Sequence, residues 1–419
     1  MMKTAGEKKK IPLMGWTYIL LTMISCLSIY DSSRLTKLKA AHVLFIGIAF
    51  VHLALFFKRK YIKVAWDFLK KYSLYLAILI DVSFFIFVSN KAEMSWIKTG
   101  TVKALYQVIT VLVAVCAVYL FGKRAVDYTF YGFVAFNVLS IFLAAKDTGS
   151  VSEIVSSINH FISSGGDAVG FMKHLELHDV TFSFGIFMIH YFMCGLRDKT
   201  IRKHFFVATA FFFLGYKRIG IGAAALSILI YIVMTNGSQK RAVALGRLFM
   251  WGFAISGFLF IVLVRYGVFQ ETMDALRIDM SGRKNLYEYM QNFYSISPLF
   301  KGYGLESVKF ILAQAGDLKI NETYISRLSA VHNDYLRMYI ELGFWGFLLW
   351  EGYIFVWLPE RLKRYGKETY ISYIAITIYL AFTYFTDNTA MFFLVSIVYR
   401  LVPMHFAVKS QELIGGNSL

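Results

Sequence analysis

Four groups of residues in this chain have types and spacings suited to chemistry. His332 stands directly before Asn333 and Asp334, two good helix-starting residues, and before a run in which Leu336, Tyr339 or Ile340, and Gly343 recur at steps of three and four. A histidine titrates near neutrality, so at a helix end it can take a proton from a hydroxyl. The other reading of such a residue is a capping or interfacial histidine. Arg283 follows the turn Ser281-Gly282 and precedes Leu286, Tyr289, Met290 and Phe293, an apolar-periodic run that ends at Pro298. Arginine near a helix start binds anionic oxygens through its two-pronged guanidinium, and a glycine-rich turn such as Gly302-Tyr303-Gly304 offers bare N–H groups to the same oxygens. Lys301 in that turn is given no role. Lys217 and Arg218 sit where a short apolar segment turns back, as snorkelling interfacial cations or as a second contact to a phosphate at headgroup level. Glu176, His178 and Asp179 form the fourth group. With His174 they include metal-ligand types, but not as His-Glu-x-x-His, and they are expected instead to shape an acceptor site opposite the central loop.

The elements that must position these residues are membrane helices. Of 419 residues, 58% are hydrophobic and only four are proline, whereas soluble domains are about 45–50% apolar. Apolar segments recur at about residues 14–30, 41–57, 72–89, 103–122, 126–145, 180–196, 203–217, 218–235, 248–265, 342–358, 370–386 and 389–406, lengths that read as spans. The pattern predicts an all-α integral membrane protein of about 12 transmembrane helices, one polytopic unit over residues 1–419. Its first span, behind Lys8-Lys9-Lys10, lacks a small-x-small cleavage site and is expected to stay uncleaved.

The formal charge of +18 does not mark a nucleic-acid protein, because the basic residues gather in alternate short loops. Lys8–Lys10, Lys58–Lys71, Lys123-Arg124, Arg197–Lys203, Lys240–Arg247 and Arg361–Lys367 fall on one side, cytoplasmic by the positive-inside rule, with both termini. Arg34, Lys37 and Lys39 go against it. The opposite side has two long loops, 146–179 and 266–341, the second between spans nine and ten. A connection of that length is far beyond the usual 4 to 6 or so residues and is expected to be functional. The second loop carries eight basic and nine acidic residues, so topology does not explain its arginines.

The remaining polar residues inside spans, Asp81, Asn137 and His190, are scattered, and a structural pairing is expected for Asp81. The three cysteines fall within apolar spans with no Cys-x-x-Cys spacing. The aromatic residues, 18% of the chain, are expected mostly in lipid-facing and interfacial positions.

Ser281-Gly282-Arg283, Pro298-Leu299-Phe300-Lys301-Gly302-Tyr303-Gly304 and His332-Asn333-x-Tyr335-Leu336, with Glu341-Leu342-Gly343 and Gly346, resemble the O-antigen ligase and polymerase superfamily. Glu176–Phe182 and Gly215–Ile219 are similar to segments of its surface-polysaccharide polymerase (Wzy-type) members. The resemblance implies a metal-independent, cofactor-free glycosyltransferase in the bacterial cytoplasmic membrane, acting on its outer face. A sugar chain on polyprenyl pyrophosphate moves to the hydroxyl of a lipid-linked repeat unit, in O-antigen, capsule or exopolysaccharide assembly. It implies His332 as base, Arg283 with Lys217 or Arg218 on the pyrophosphate, and Glu341, Gly343 and Gly346 as supporting motif. Expected partners are the polyprenyl-pyrophosphate oligosaccharide, membrane lipid, a flippase and a chain-length regulator. Two alternatives stand beside it: ligase-type transfer to a lipid or protein acceptor, and a polysaccharide flippase or transporter.

Overall fold

A computed structural model describes residues 11–27, 39–57, 59–163, 172, 178–215, 217–278, 283–317 and 330–416. Among them are helices and no strands. The chain runs through α1 (Leu13–Cys26), α2 (Ala40–Phe56), α3 (Arg59–Ser89), α4 (Met94–Phe121) and α5 (Ala125–Thr148), then the short α6 (Val151–Ser163). Next come α7 (His178–Cys194), α8 (Lys199–Leu214), α9 (Arg218–Thr235) and α10 (Gln239–Arg265). The long connection contains α11 (Val268–Ala275), α12 (Arg283–Met290) and α13 (Ser307–Asp317). It returns into α14 (Asp334–Glu351), which continues through a π-helical stretch, Gly352–Trp357, into α15 (Leu358–Leu362); α16 (Lys367–Thr383) and α17 (Phe393–Gly416) close the bundle.

A helix lies over each expected span. Among the described residues, six helical runs are long and apolar enough to cross a membrane: Lys60–Ser89, Met94–Thr148, Arg218–Thr235, Gln239–Arg265, Asp334–Tyr365 and Phe393–Leu413; α1, α2 and α7 are shorter apolar helices. The second run holds two helices that meet at Gly122.

Burial separates the helices into two shells. Almost every residue of α7 and α16 is buried, as are much of α14 and α17 and the later turns of α4. Around them α2, α3, α8, α9 and α10 expose Phe50, Phe84, Phe85, Phe206, Leu229, Leu248, Trp251 and Ile255, apolar surface suited to lipid. Lipid tails are as apolar as leucine, so helices in such a bundle are held by close packing and hydrogen bonds. Tyrosine does both here. Tyr379 packs on Gly185 of α7, where a Cβ would lie 2.1 Å from its hydroxyl, and that hydroxyl donates to the Phe182 carbonyl at 3.2 Å. Tyr370 and Tyr335 pack likewise on Gly246 and Gly257 of α10, and donate to the carbonyls of Val243 and Ala381. The aromatic residues are therefore less lipid-facing than expected, because a hydroxyl in an apolar interior must find an acceptor and a neighbouring helix carbonyl supplies it.

Asp81 also differs from expectation. It lies on an exposed face of α3, with no ion pair among the described residues, rather than paired inside the bundle.

The bundle has two unlike ends. At one, Lys60 and Lys123 meet Glu412, Arg364 meets Asp67, Arg247 meets Glu360 and Lys409 meets Glu368. These are the basic short loops of the sequence, and Ile11 and the end of α17 lie with them. The other end holds the turn after α3, the start of α7, the α8–α9 turn, the described parts of the connection between α10 and α14, and the α16–α17 turn.

Candidate functional site

The site end is built on the start of α14. Asn333, in extended backbone conformation, caps it: its Oδ1 accepts the Leu336 N–H at 2.8 Å. Its amide nitrogen then donates to the Phe385 carbonyl at 2.9 Å. Asp334 adds two links to the same α16–α17 turn: its N–H donates to the Tyr384 carbonyl at 2.8 Å, and its Oδ2 accepts the Ala390 N–H at 2.7 Å. His332 directly precedes this knot, half-buried and with φ of 52°. A left-handed conformation in a residue with a Cβ costs about 1–3 kcal/mol and persists only where the surroundings fix it. The bonds of Asn333 and Asp334 do that fixing.

Arg283 arrives at the same turn from another direction. It opens α12, and its Nη2 donates to the Thr386 carbonyl at 3.2 Å. One turn on, Tyr287 is buried, which pushes its hydroxyl up to about 12, against the pull of the Arg283 charge and of a hydrogen bond with Asn333. Its ring and that of Phe385 both pack on Phe260. The residues 384–390 thus hold Arg283 on one side and the 332–334 segment on the other.

Lys217 is the N-cap of α9 and Arg218 its first residue, half-buried and exposed respectively. Their turn rests on α7: a Cβ at Gly215 would lie 2.1 Å from the Thr181 hydroxyl. Asp179, two residues before Thr181, accepts the N–H groups of Leu394 and Val395 at 3.1 and 2.9 Å, one per carboxylate oxygen. It ties the start of α7 to the start of α17, where a negative charge also suits the helix dipole. Each oxygen takes one backbone N–H, so Asp179 holds the two helix starts together. Glu176 lies outside the described residues, as does the side chain of His178, the first residue of α7.

Sequence reading missed a buried ion network one turn beyond His332. Arg337 donates from Nη2 to Glu306 at 2.6 Å and from Nε to Glu341 at 3.1 Å, and Lys103 of α4 reaches the same Glu306 oxygen at 3.5 Å. Burial pushes the Glu306 carboxyl up, but the Arg337 and Lys103 charges overcome it and hold it at about 2. The available signal was Arg337 and Glu341 at i, i+4 on a helix that otherwise reads as apolar. Glu341 therefore serves this site as the second arm of the Arg337 clamp.

Gly343 and Gly346 have separate jobs, and only one makes the helix–helix approach their spacing suggests. A Cβ at Gly346 would lie 2.6 Å from Val82 of α3, a helix contact. Gly343 instead breaks α14, with φ 70° and ψ −176°. The break frees the Ile340 and Glu341 carbonyls, which accept the N–H groups of Tyr303 and Gly304 at 3.1 and 2.8 Å, while the Phe344 N–H donates to the Phe300 carbonyl at 2.9 Å. A Cβ on Gly343 would stand 2.3 Å from the Lys301 carbonyl, and one on Gly302 2.4 Å from the Gly343 nitrogen. Only glycine allows two backbones this close, in conformations that favour it. The Phe300–Gly304 turn is thereby a backbone splint on α14. It also walls an open cleft of about 610 Å³ with Asn90, Trp96, Ser297 and Gln314. Tyr303 lines that cleft, whereas Tyr287 and Tyr294 are packed inside.

Residues 204–350 match a family model described as O-antigen ligase. The matched segment includes Lys217, Arg218, Arg283, His332, Arg337, Glu341 and Gly343. The chain matches no curated protein.

Proposed function

From the place of residues 204–350 in the O-antigen ligase and polymerase superfamily, we propose that this chain is a membrane glycosyltransferase joining lipid-linked saccharide units at the site end of the bundle. The donor is a sugar chain on polyprenyl pyrophosphate and the acceptor a hydroxyl of a second lipid-linked repeat unit. The observation that carries this reading is the convergence of Arg283 and the His332–Asp334 segment on one turn, residues 384–390.

In the proposed step the acceptor oxygen attacks the anomeric carbon, its proton passes to the His332 imidazole, and the bond from that carbon to the pyrophosphate oxygen breaks. The electron pair leaves with the pyrophosphate. Arg283 meets the growing charge with fixed donors, and Lys217 and Arg218 supply further positive charge at the same end. A positioned base of this kind contributes about 100- to 10,000-fold in rate. The buried Arg337 network and the Gly343 splint keep the start of α14 rigid, so His332 does not have to be ordered when substrate arrives. We place this chemistry on the outer face of a bacterial cytoplasmic membrane, from the clustering of lysine and arginine at the other end of the bundle.

The test is the length of surface polysaccharide in cells carrying His332→Ala, with membrane level of the protein measured alongside. Accumulation of single repeat units is the expected result; long polymer at normal protein level would remove His332 from the reaction. Arg283→Lys should also shorten the polymer, since lysine keeps charge but loses the two-pronged contact. The description of the matching family favours a second reading, transfer of a finished chain to a different acceptor. In that case the cells would keep long polymer but fail to attach it.

A further inference from the structure

At the opposite, basic end lies a cluster that the transfer reaction does not use. His190 and Cys194 stand four apart on α7, and His405 of α17 faces them. Cys194 Sγ is 3.6 Å from His190 Nε2 and 3.8 Å from His405 Nε2, and the three atoms all lie within 4.8 Å of one another. The two imidazole rings meet edge to face at 4.7 Å.

We propose that His190, Cys194 and His405 form a binding site for Zn2+. The donor set is right for it: one thiolate and two imidazoles suit zinc, which is commonly held in tetrahedral geometry by sulfur and nitrogen. The spacing is right too. Zinc–sulfur and zinc–nitrogen bonds of about 2.3 and 2.0–2.1 Å set sulfur and nitrogen about 3.5 Å apart at a tetrahedral angle, close to both separations seen here. The surroundings prepare the ligands. The Nδ1 of His405 lies 2.8 Å from the Lys123 carbonyl, so it carries the proton there and turns the lone pair of Nε2 toward the sulfur. An imidazole that ligates a metal is oriented in the same way by a carbonyl on its other nitrogen. His190 is fully buried and its Nδ1 takes no hydrogen bond among the described residues, so Nε2, aimed at the cluster, is its engaged polar atom. A buried imidazole with so little compensation is costly unless that atom binds something.

Binding takes Cys194 as thiolate, its proton leaving to solvent, and leaves a fourth position on the half-exposed side of Cys194 and His405. The ion fastens α7 to α17 at the end remote from Arg283 and His332, and the Lys123 carbonyl adds the α4–α5 turn to the joint. Asp179 joins the same two helices at their other ends. A zinc staple and a carboxylate staple then hold one helix pair at both ends.

The full-length protein, purified in detergent on a tag without histidine, is dialysed against Zn2+ and its metal content measured. One zinc per chain is expected. Cys194→Ser should weaken binding by more than the 10- to 100-fold or so that loss of an outer partner costs, while His204→Ala, a nearby histidine bonded to Tyr131, should leave it unchanged. With Co2+ as probe, a sulfur-to-metal charge-transfer band should appear in the parent protein and vanish in Cys194→Ser. A measurement on the unmutated chain covers the case of a variant that fails to fold: Zn2+ should slow alkylation of Cys194, followed by mass spectrometry, because a sulfur bound to metal is no longer a free nucleophile. No retained zinc, equal binding in Cys194→Ser, or alkylation unaffected by Zn2+ would overturn the proposal.

Discussion

The two ends of the bundle carry most of their charge in different ways, apart from a largely buried Lys71–Asp67 pair at the basic end and an exposed Lys284–Asp274 pair at the other. At the basic end Lys60 and Lys123 share Glu412 while 66% and 52% exposed, and the Arg247–Glu360 pair is 57% and 36% exposed. At the site end the Arg337 side chain is 9% exposed and Glu341 fully buried. Exposed pairs are screened by water and are worth about 0–1 kcal/mol each, so their distribution can serve topology with little effect on stability. A buried, hydrogen-bonded pair behaves differently. Its formation gains little over an apolar core, but removing one partner strands a charge and costs about 3–5 kcal/mol. The Arg337 network fixes the position of a few atoms, which the exposed pairs of the basic end do not.

The sharpest way to break this contrast is Arg337→Ala. It should lower stability by about 3–5 kcal/mol in denaturant unfolding of the detergent-solubilised protein, and a loss under 1 kcal/mol would mean that Glu306 and Glu341 find other partners. Gly343→Ala comes next: a Cβ 2.3 Å from the Lys301 carbonyl, at φ 70°, should cost about 1–3 kcal/mol or more and loosen the Phe300–Gly304 turn, read as faster proteolysis there.

The network also makes a pH prediction. Glu306 is held at about 2 against an ordinary 4.5, so its contribution is complete above pH 4.5 and is lost as pH falls toward 2. Stability measured across that window should fall in the parent and fall less in Glu306→Gln. The smallest effect belongs to the basic end, where Arg247→Ala should change stability by no more than about 1 kcal/mol. A larger loss would erase the distinction between the ends.

Much of this was legible in the sequence, and the parts that were not share a cause. Apolar periodicity marked where the helices lie, and Asn333-Asp334 marked the start of α14 because capping is a local property of a few consecutive residues. Arg283 and His332 stood out because a long loop gave topology no use for them. The α16–α17 turn did not stand out: it offers mainly backbone carbonyls and amides, which every residue has, so nothing in Tyr384–Ala390 distinguishes it from a plain connector. The break at Gly343 escapes sequence reading for the same reason, since its spacing from Gly346 suggests only a helix-packing face. Its meaning depends on Lys301 and Gly302, about forty residues earlier, whose backbone completes the helix. Asp179 looked like a loop acid because its two partners, Leu394 and Val395, lie more than two hundred residues away.

That late turn bears on how the molecule comes into being. Thr386 is made 103 residues after Arg283, and Phe385 is made 52 after Asn333. Chains are built from the N-terminus onward and their parts fold as they emerge. A nascent chain that has passed Asn333 but stops short of Tyr384 already contains Arg283, Lys217 and His332, yet has none of the carbonyls on which Arg283 and Asn333 rest. Under the proposed function, the reacting groups stay unassembled through most of synthesis, and a prematurely ended product would be inert rather than a half-working enzyme loose in the membrane.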